Sequence, residues 1–233
     1  MCKKVCLIGI VFFSFFSITV FAQQTEISEN AKLQIEDCLD GDVNACYEVG
    51  IRYDSGDGVS QDFTQSTYYY EKGCAGGHAP SCYNTAVAYD DGEGVEQDHV
   101  KAVAFYTKGC DGGDIDACYN LGVSYDQGEG VEVDHEKAVS FYTTGCKAGD
   151  TDSCHNLAIS YEEGEGIKQD KKTAIELYKK ACRESNMSSC YNLANIFESG
   201  DGIKKDLVKA AELFNQVCVH GDEDGCRRAS ELK

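Results

Sequence analysis

The chain has 233 residues, 40 of them acidic against 21 Lys and Arg, which gives a net charge of −19, and it holds 14 cysteines but a single proline and no tryptophan. So acidic a chain repels a polyanion, and no basic stripe interleaved with aromatics offsets that field, so nucleic acid is not an expected partner.

Residues 1–22 have the pattern of a signal peptide. Lys3 and Lys4 precede an apolar run from Val5 to Phe21, and the small residues Val20 and Ala22 occupy the positions a signal peptidase reads. Cys2 and Cys6 lie at or before the start of that run rather than just past it, so lipid anchoring is not expected, and neither is a membrane span further on. Losing the leader's two lysines takes the net charge to −21. The expected product is an exported protein, secreted or periplasmic, whose twelve remaining cysteines meet an oxidising compartment and pair.

Residues 23–45 form an N-terminal segment. Its first part, to about residue 30, is polar and reads as disordered, and Ala31 to Cys38 reads as a partial unit whose helix starts an array. From there the cysteines fall at 38 and 46, 74 and 82, 110 and 118, 146 and 154, 182 and 190, 218 and 226. A fixed 36-residue period marks stacked supersecondary units. The array divides into repeats 46–81, 82–117, 118–153, 154–189 and 190–225, with 226–233 left as a polar capping stub.

Each unit reads as two short helices. Cys118, Leu121, Gly122 and Tyr125 share one helical face, at i, i+3, i+4 and i+7. Gly128 and Gly130 then end the helix, and Asp134 is placed to cap the next one. On that second helix Ala138, Phe141, Tyr142, Gly145 and Cys146 again form one stripe, as Ala102, Phe105, Tyr106, Gly109 and Cys110 do one unit earlier. Helices of about three turns cannot bury such a stripe alone, so the units must stack, with Tyr106, Tyr142 and Tyr178 in the packing. Seven residues separate the two cysteines of a pair, as in Asp111 to Ala117, a connection short enough to force antiparallel helices. Nearest-neighbour bridges follow: Cys38–Cys46, Cys74–Cys82, Cys110–Cys118, Cys146–Cys154, Cys182–Cys190 and Cys218–Cys226. Each closed loop contributes roughly 2.5 kcal/mol in the chain-entropy account.

The unit Cys118-Tyr119-Asn120-Leu121-Gly122, Tyr125, Gly128-x-Gly130-Val131, Asp134, Lys137-Ala138, Tyr142, Cys146 resembles the Sel-one-like repeat, a relative of the tetratricopeptide repeat, over about residues 24–233. The cysteine pairs make it similar to the Helicobacter cysteine-rich protein family. That resemblance implies an all-α fold, a right-handed α/α superhelix of disulfide-bridged hairpins, in a secreted monomer. It also implies two functional classes: contact with other proteins, host or cell-envelope proteins among them, and weak β-lactam or peptidoglycan-fragment binding or hydrolysis.

The residues are uneven support for these. A serine β-lactamase needs Ser-x-x-Lys with two companion motifs, and the sole match, Ser230 to Lys233, is the last four residues, so no catalytic residue is assigned. The five histidines fall at scattered positions, with only His99 and His135 sharing a column, where they read as exposed first-turn residues; no metal and no cofactor is expected. Acidic turns such as Asp126 to Glu132 lack the order of a calcium loop and read as solvated. Asn84, Asn120, Asn156 and Asn192 recur two places past a cysteine, about 200° around the helix from it, on a face expected to be exposed along the concave groove. There they either pair with a peptide backbone or bond to the neighbouring repeat and fix stacking. One turn on, Arg52, Ser124 and Ser160 occupy a column that varies from unit to unit and is expected to set ligand specificity.

Overall fold

A computed structural model describes residues 27–232; the segment 1–22 read as a leader, with its expected cleavage site, lies outside the described residues. Among the described residues the chain is twelve helices with no strand: α1 (Glu29–Leu39), α2 (Val43–Ser55), α3 (Phe63–Ala75), α4 (Ala79–Asp91), α5 (His99–Asp111), α6 (Ile115–Gln127), α7 (His135–Ala148), α8 (Thr151–Glu163), α9 (Lys171–Arg183), α10 (Met187–Ser199), α11 (Leu207–Val219) and α12 (Glu223–Glu231). Each helix packs chiefly on its neighbours in the chain, which builds a solenoid of antiparallel hairpins.

The second helix of each hairpin starts where the aspartate column predicts. Asp62, Asp98, Asp134, Asp170 and Asp206 are the N-caps of α3, α5, α7, α9 and α11, each accepting a hydrogen bond from a free first-turn amide. The first helices carry a cap column of their own that sequence reasoning missed: Asp42, His78, Asp114, Asp150, Asn186 and Asp222. These caps correct the seven-residue connection. The loop from α5 to α6 is only Gly112 to Asp114, and the cysteines lie inside the helices that flank it. All six expected bridges are formed, with Cα atoms 4.5–4.7 Å apart.

Within the Gly-x-Gly turn the two glycines do different jobs. Gly128 takes the left-handed conformation that closes α6. Gly130, also at positive φ, lies so close to the previous hairpin that a Cβ there would stand 2.2 Å from the His99 carbonyl oxygen. That turn is therefore where one repeat seats on the first turn of the preceding second helix.

Aromatic pairs fill the core in register. Tyr53 stacks on Tyr69, Tyr89 on Phe105 and Tyr125 on Phe141, with ring centroids 5.6–5.8 Å apart. A second series, Tyr47 with Tyr70, Tyr83 with Tyr106 and Tyr119 with Tyr142, runs at 5.9–6.2 Å. Tyr106, Tyr142 and Tyr178 are buried, as their place on the apolar stripe requires. The ends differ from expectation. Residues up to about 30 were read as disordered, yet Ser28 caps α1 and its amide donates to the Gly58 carbonyl at 2.8 Å, so the segment from Ile27 is held against the first turn. The terminal stub is helical, with Ala229 buried on the stack.

Candidate functional site

One surface of the solenoid is built from three columns that share the 36-residue period. The first is the asparagine column on α4, α6, α8 and α10. The second is a set of tyrosines on the preceding second helices: Tyr70, Tyr106, Tyr142 and Tyr178. The third, which sequence reasoning missed, is acidic: Asp54, Asp90, Asp126, Glu162 and Glu198, all near the C-terminal ends of first helices. The period alone would have exposed it, since each lies eight residues past the second cysteine of its pair.

Hydrogen bonds join the columns. Tyr178 Oη donates to Glu162 at 2.7 Å, and Tyr106 Oη donates to Asp90 at 3.3 Å. Asn192 Nδ2 donates to Tyr178 Oη at 3.3 Å. Burial raises the hydroxyl of Tyr70 to about 12 and those of Tyr106, Tyr142 and Tyr178 well above their ordinary value; the carboxylates beside them add to the rise, while Asn84, Asn156 and Asn192 partly oppose it on Tyr70, Tyr142 and Tyr178. These hydroxyls stay protonated, and those of Tyr106 and Tyr178 are the donors to the acidic column. Asn120 and Asn156 also reach Tyr83 and Tyr119, which lie one repeat back.

Two expectations are corrected by this packing. The asparagines are half-buried rather than exposed, because the tyrosines of two flanking helices cover part of the arc that an isolated helix would leave to water. The variable column lies deeper still. Ser124 and Ser160 are 6% and 7% exposed and donate to the backbone carbonyls of Asn120 and Asn156 at 3.0 and 3.1 Å. Arg52 hydrogen-bonds Gln34 on α1 and pairs with Asp57 at 2.8 Å, tying the first helix to the first turn. These three side chains are occupied within the fold.

Open space remains beside the asparagines at both ends. A cleft of about 730 Å³ is lined by Glu162, Glu163, Tyr178, Asn192, Asn195 and Glu198, and by two cations, Lys205 and Arg228, the second paired with Glu198. A smaller one of about 200 Å³ is lined at the matching positions by Asp54, Tyr70 and Asn84. Both offer amide donors and acceptors, a tyrosine hydroxyl and negative charge.

Elsewhere, Ser230 is exposed on α12 with its hydroxyl donated to the Arg227 carbonyl at 2.6 Å, and Lys233 lies outside the described residues. His99 and His135 are first-turn residues with partly exposed side chains, and each is also engaged in a hydrogen bond. Nδ1 of each donates to a carboxylate of the acidic column, His99 to Asp90 at 2.7 Å and His135 to Asp126 at 2.8 Å, and these bonds raise both imidazoles above 6.5.

A family model described as Sel1 repeat matches residues 43–78, 79–114, 115–150, 151–186 and 188–218, each match opening at or beside the start of a first helix. Among solved structures, the chain is similar to a protective antigen of uropathogenic Escherichia coli strains displaying an SLR fold, at 29% identity and TM-score 0.84 over 88% of this chain and 44% of that one. It is similar also to a Sel1 repeat protein from Oxalobacter formigenes, at 26% identity and TM-score 0.69 over 80% and 75%. Helicobacter pylori cysteine-rich protein B is 27% identical, with a TM-score of 0.45 over 56% of this chain and 93% of that one. The chain thus spans less than half the length of the Escherichia coli protein. No curated protein matches it by sequence. With repeats matched from residue 43 to residue 218, the chain belongs to the Sel1 repeat family.

Proposed function

We propose that the protein is an exported binding scaffold that holds an extended, cationic segment of another protein along the face where asparagines, tyrosine hydroxyls and carboxylates meet. The observation that carries this is the cleft beside Asn192, where a half-buried amide, the Tyr178 hydroxyl and the carboxylates of Glu162 and Glu163 converge, Glu198 on the same lining being paired with Arg228. An asparagine amide offers one donor group and one acceptor to a peptide backbone whatever its side chains. The carboxylates favour lysine and arginine in what binds, as does a net charge of −19. Ser124, Ser160 and Arg52 serve this face from beneath by fixing the helices that present it. Export is supported by the leader at 1–22 and by six disulfides, which persist in an oxidising compartment.

The test uses the oxidised protein and extended peptides of one length, basic in one set and acidic in the other. Basic peptides are expected to bind, more weakly as salt rises. Asn192→Ala and Glu163→Gln should each weaken that binding. If basic peptides do not bind, or bind both variants as they bind the parent, the reading fails. An Asn192→Ala protein that melts earlier but binds unchanged would assign the asparagine to stacking alone.

A further inference from the structure

One place in the repeat brings together two carboxylates and a variable residue. The variable residue is the first of each second helix: Phe63, His99, His135, Lys171 and Leu207. One carboxylate comes from the acidic column of the same hairpin, and the other from the middle of the next Gly-x-Gly turn. Because Gly130 seats against the His99 carbonyl, that turn delivers Glu129 directly over His99.

The occupant differs from unit to unit in a telling way. At Lys171 the fold supplies its own cation: Nζ donates to both carboxylate oxygens of Asp201, at 2.7 and 2.6 Å, with Glu162 lining the same small cavity. At His99 the ammonium is replaced by an imidazole while both carboxylates remain. Asp90, His99 and Glu129 each present a ligand atom, and these atoms lie within 4.8 Å of one another. The same residue types recur one period later as Asp126, His135 and Glu165, and His135 Nδ1 donates to Asp126 at 2.8 Å, but there the three side chains do not converge as they do around His99.

We propose that Asp90, His99 and Glu129 bind a divalent transition-metal ion of the zinc class. The metal takes the place that the Lys171 ammonium fills two units later. One imidazole nitrogen with two carboxylate oxygens suits zinc, whereas calcium takes six to eight oxygen ligands. The ligands belong to two repeats, since Asp90 and His99 lie on one hairpin and Glu129 on the turn of the next. Bound metal would therefore clamp neighbouring repeats together and stabilise the folded array.

Calorimetric titration of the tag-free, oxidised protein with zinc chloride near neutral pH tests this. One saturable equivalent and a rise in melting temperature with zinc are expected. His99→Lys installs the residue that the fold already accepts at 171, so it should fold as the parent does, melt near the same temperature without metal, and lose the equivalent together with the zinc-dependent rise in melting temperature. His135→Lys should keep both. No saturable binding at millimolar zinc would overturn the proposal, and so would unchanged stoichiometry in His99→Lys. Displacement of zinc by an equal concentration of calcium would also overturn it, because the carboxylates alone would then be the ligands.

Discussion

Tyr178 and Glu162 close the α8–α9 hairpin from within: the phenol, with no exposed surface, donates at 2.7 Å to a carboxylate sixteen residues earlier, and Asn192 donates to the same hydroxyl from the next helix. One oxygen atom thus joins three helices. The next hairpin solves the same problem without a hydroxyl. Phe214 stands where Tyr178 would, Glu198 pairs with Arg228 on α12, and the guanidinium lies 4.9 Å above the Phe214 ring.

Tyr178→Phe should therefore cost stability, since among the described residues no cation pairs with Glu162 as Arg228 does with Glu198. Hydrogen bonds to charged groups contribute about 1.5–3 kcal/mol, and the partial exposure of Glu162 lets water recover part of that, so a loss of about 1–2 kcal/mol is expected. At about 2–4 °C per kcal/mol for a protein this size, the melting temperature of the oxidised protein should fall measurably. No fall would mean that the hydroxyl contributes nothing to holding the hairpin.

The period made most of this fold legible. Cysteines eight apart, Gly-x-Gly turns and capping aspartates each carry a local signal tied to a backbone requirement, so Cys110, Gly128 and Asp134 could be placed by counting. The candidate site was less legible, for two reasons. Exposure of Asn120 and Ser124 depends on what the neighbouring repeats lay across the helix, and a projection of one helix omits those neighbours. Asp90 and Asp126 were lost among 40 acidic residues, because their role comes from hydroxyls and imidazoles brought in by other helices.

Ser153 is buried with no hydrogen-bond partner for its hydroxyl among the described residues, while two serines in the same column are satisfied by histidines: Ser81 by His78 and Ser189 by His155, both at 2.9 Å. Ala117 occupies that column one unit earlier and is fully buried. Ser153→Ala should raise stability by about 1 kcal/mol, because it removes an unsatisfied polar group without changing the packing. Ser189→Ala should lower it. Thermal melts showing the same sign for both substitutions would contradict this assignment.

Ser185 is the exception in a column of glycines. Gly41, Gly77, Gly113, Gly149 and Gly221 have φ between 89° and 104°, and Ser185 holds φ 70° in the same turn. A Cβ at Gly113 would meet nothing within 4 Å, so the position asks for backbone freedom rather than for space. The left-handed conformation costs a residue with a Cβ about 1–2 kcal/mol, and glycine gives back part of that through a freer unfolded chain. Ser185→Gly should stabilise by about 0.5–1 kcal/mol and Ser185→Ala should not. Equal melting temperatures for the two variants would rule out the backbone explanation.

His155 stands where Tyr47, Tyr83, Tyr119 and Tyr191 stand in the other units, with its ring 5.8 Å from Tyr178. Burial lowers its pKa below the ordinary 6.5, against a smaller opposing pull from Asp152. The folded state therefore favours the neutral ring, and below about 6.5 the unfolded chain binds more protons than the folded one. The stability this site contributes is complete above 6.5 and is lost as pH falls through the lowered pKa. His155→Tyr replaces the titrating ring by the residue the repeat uses elsewhere, although it gives up the bond to Ser189. The variant should thus melt below the parent at about pH 8 by the lost Ser189 bond, and this deficit should shrink progressively as pH falls toward about 5. Acid loss from the capping aspartates, four of which are held below the usual carboxylate range by first-turn amides or side chains, is common to both proteins and cancels in the comparison. A difference in melting temperature that stays constant across this range would show that protonation of His155 does not weigh on the fold.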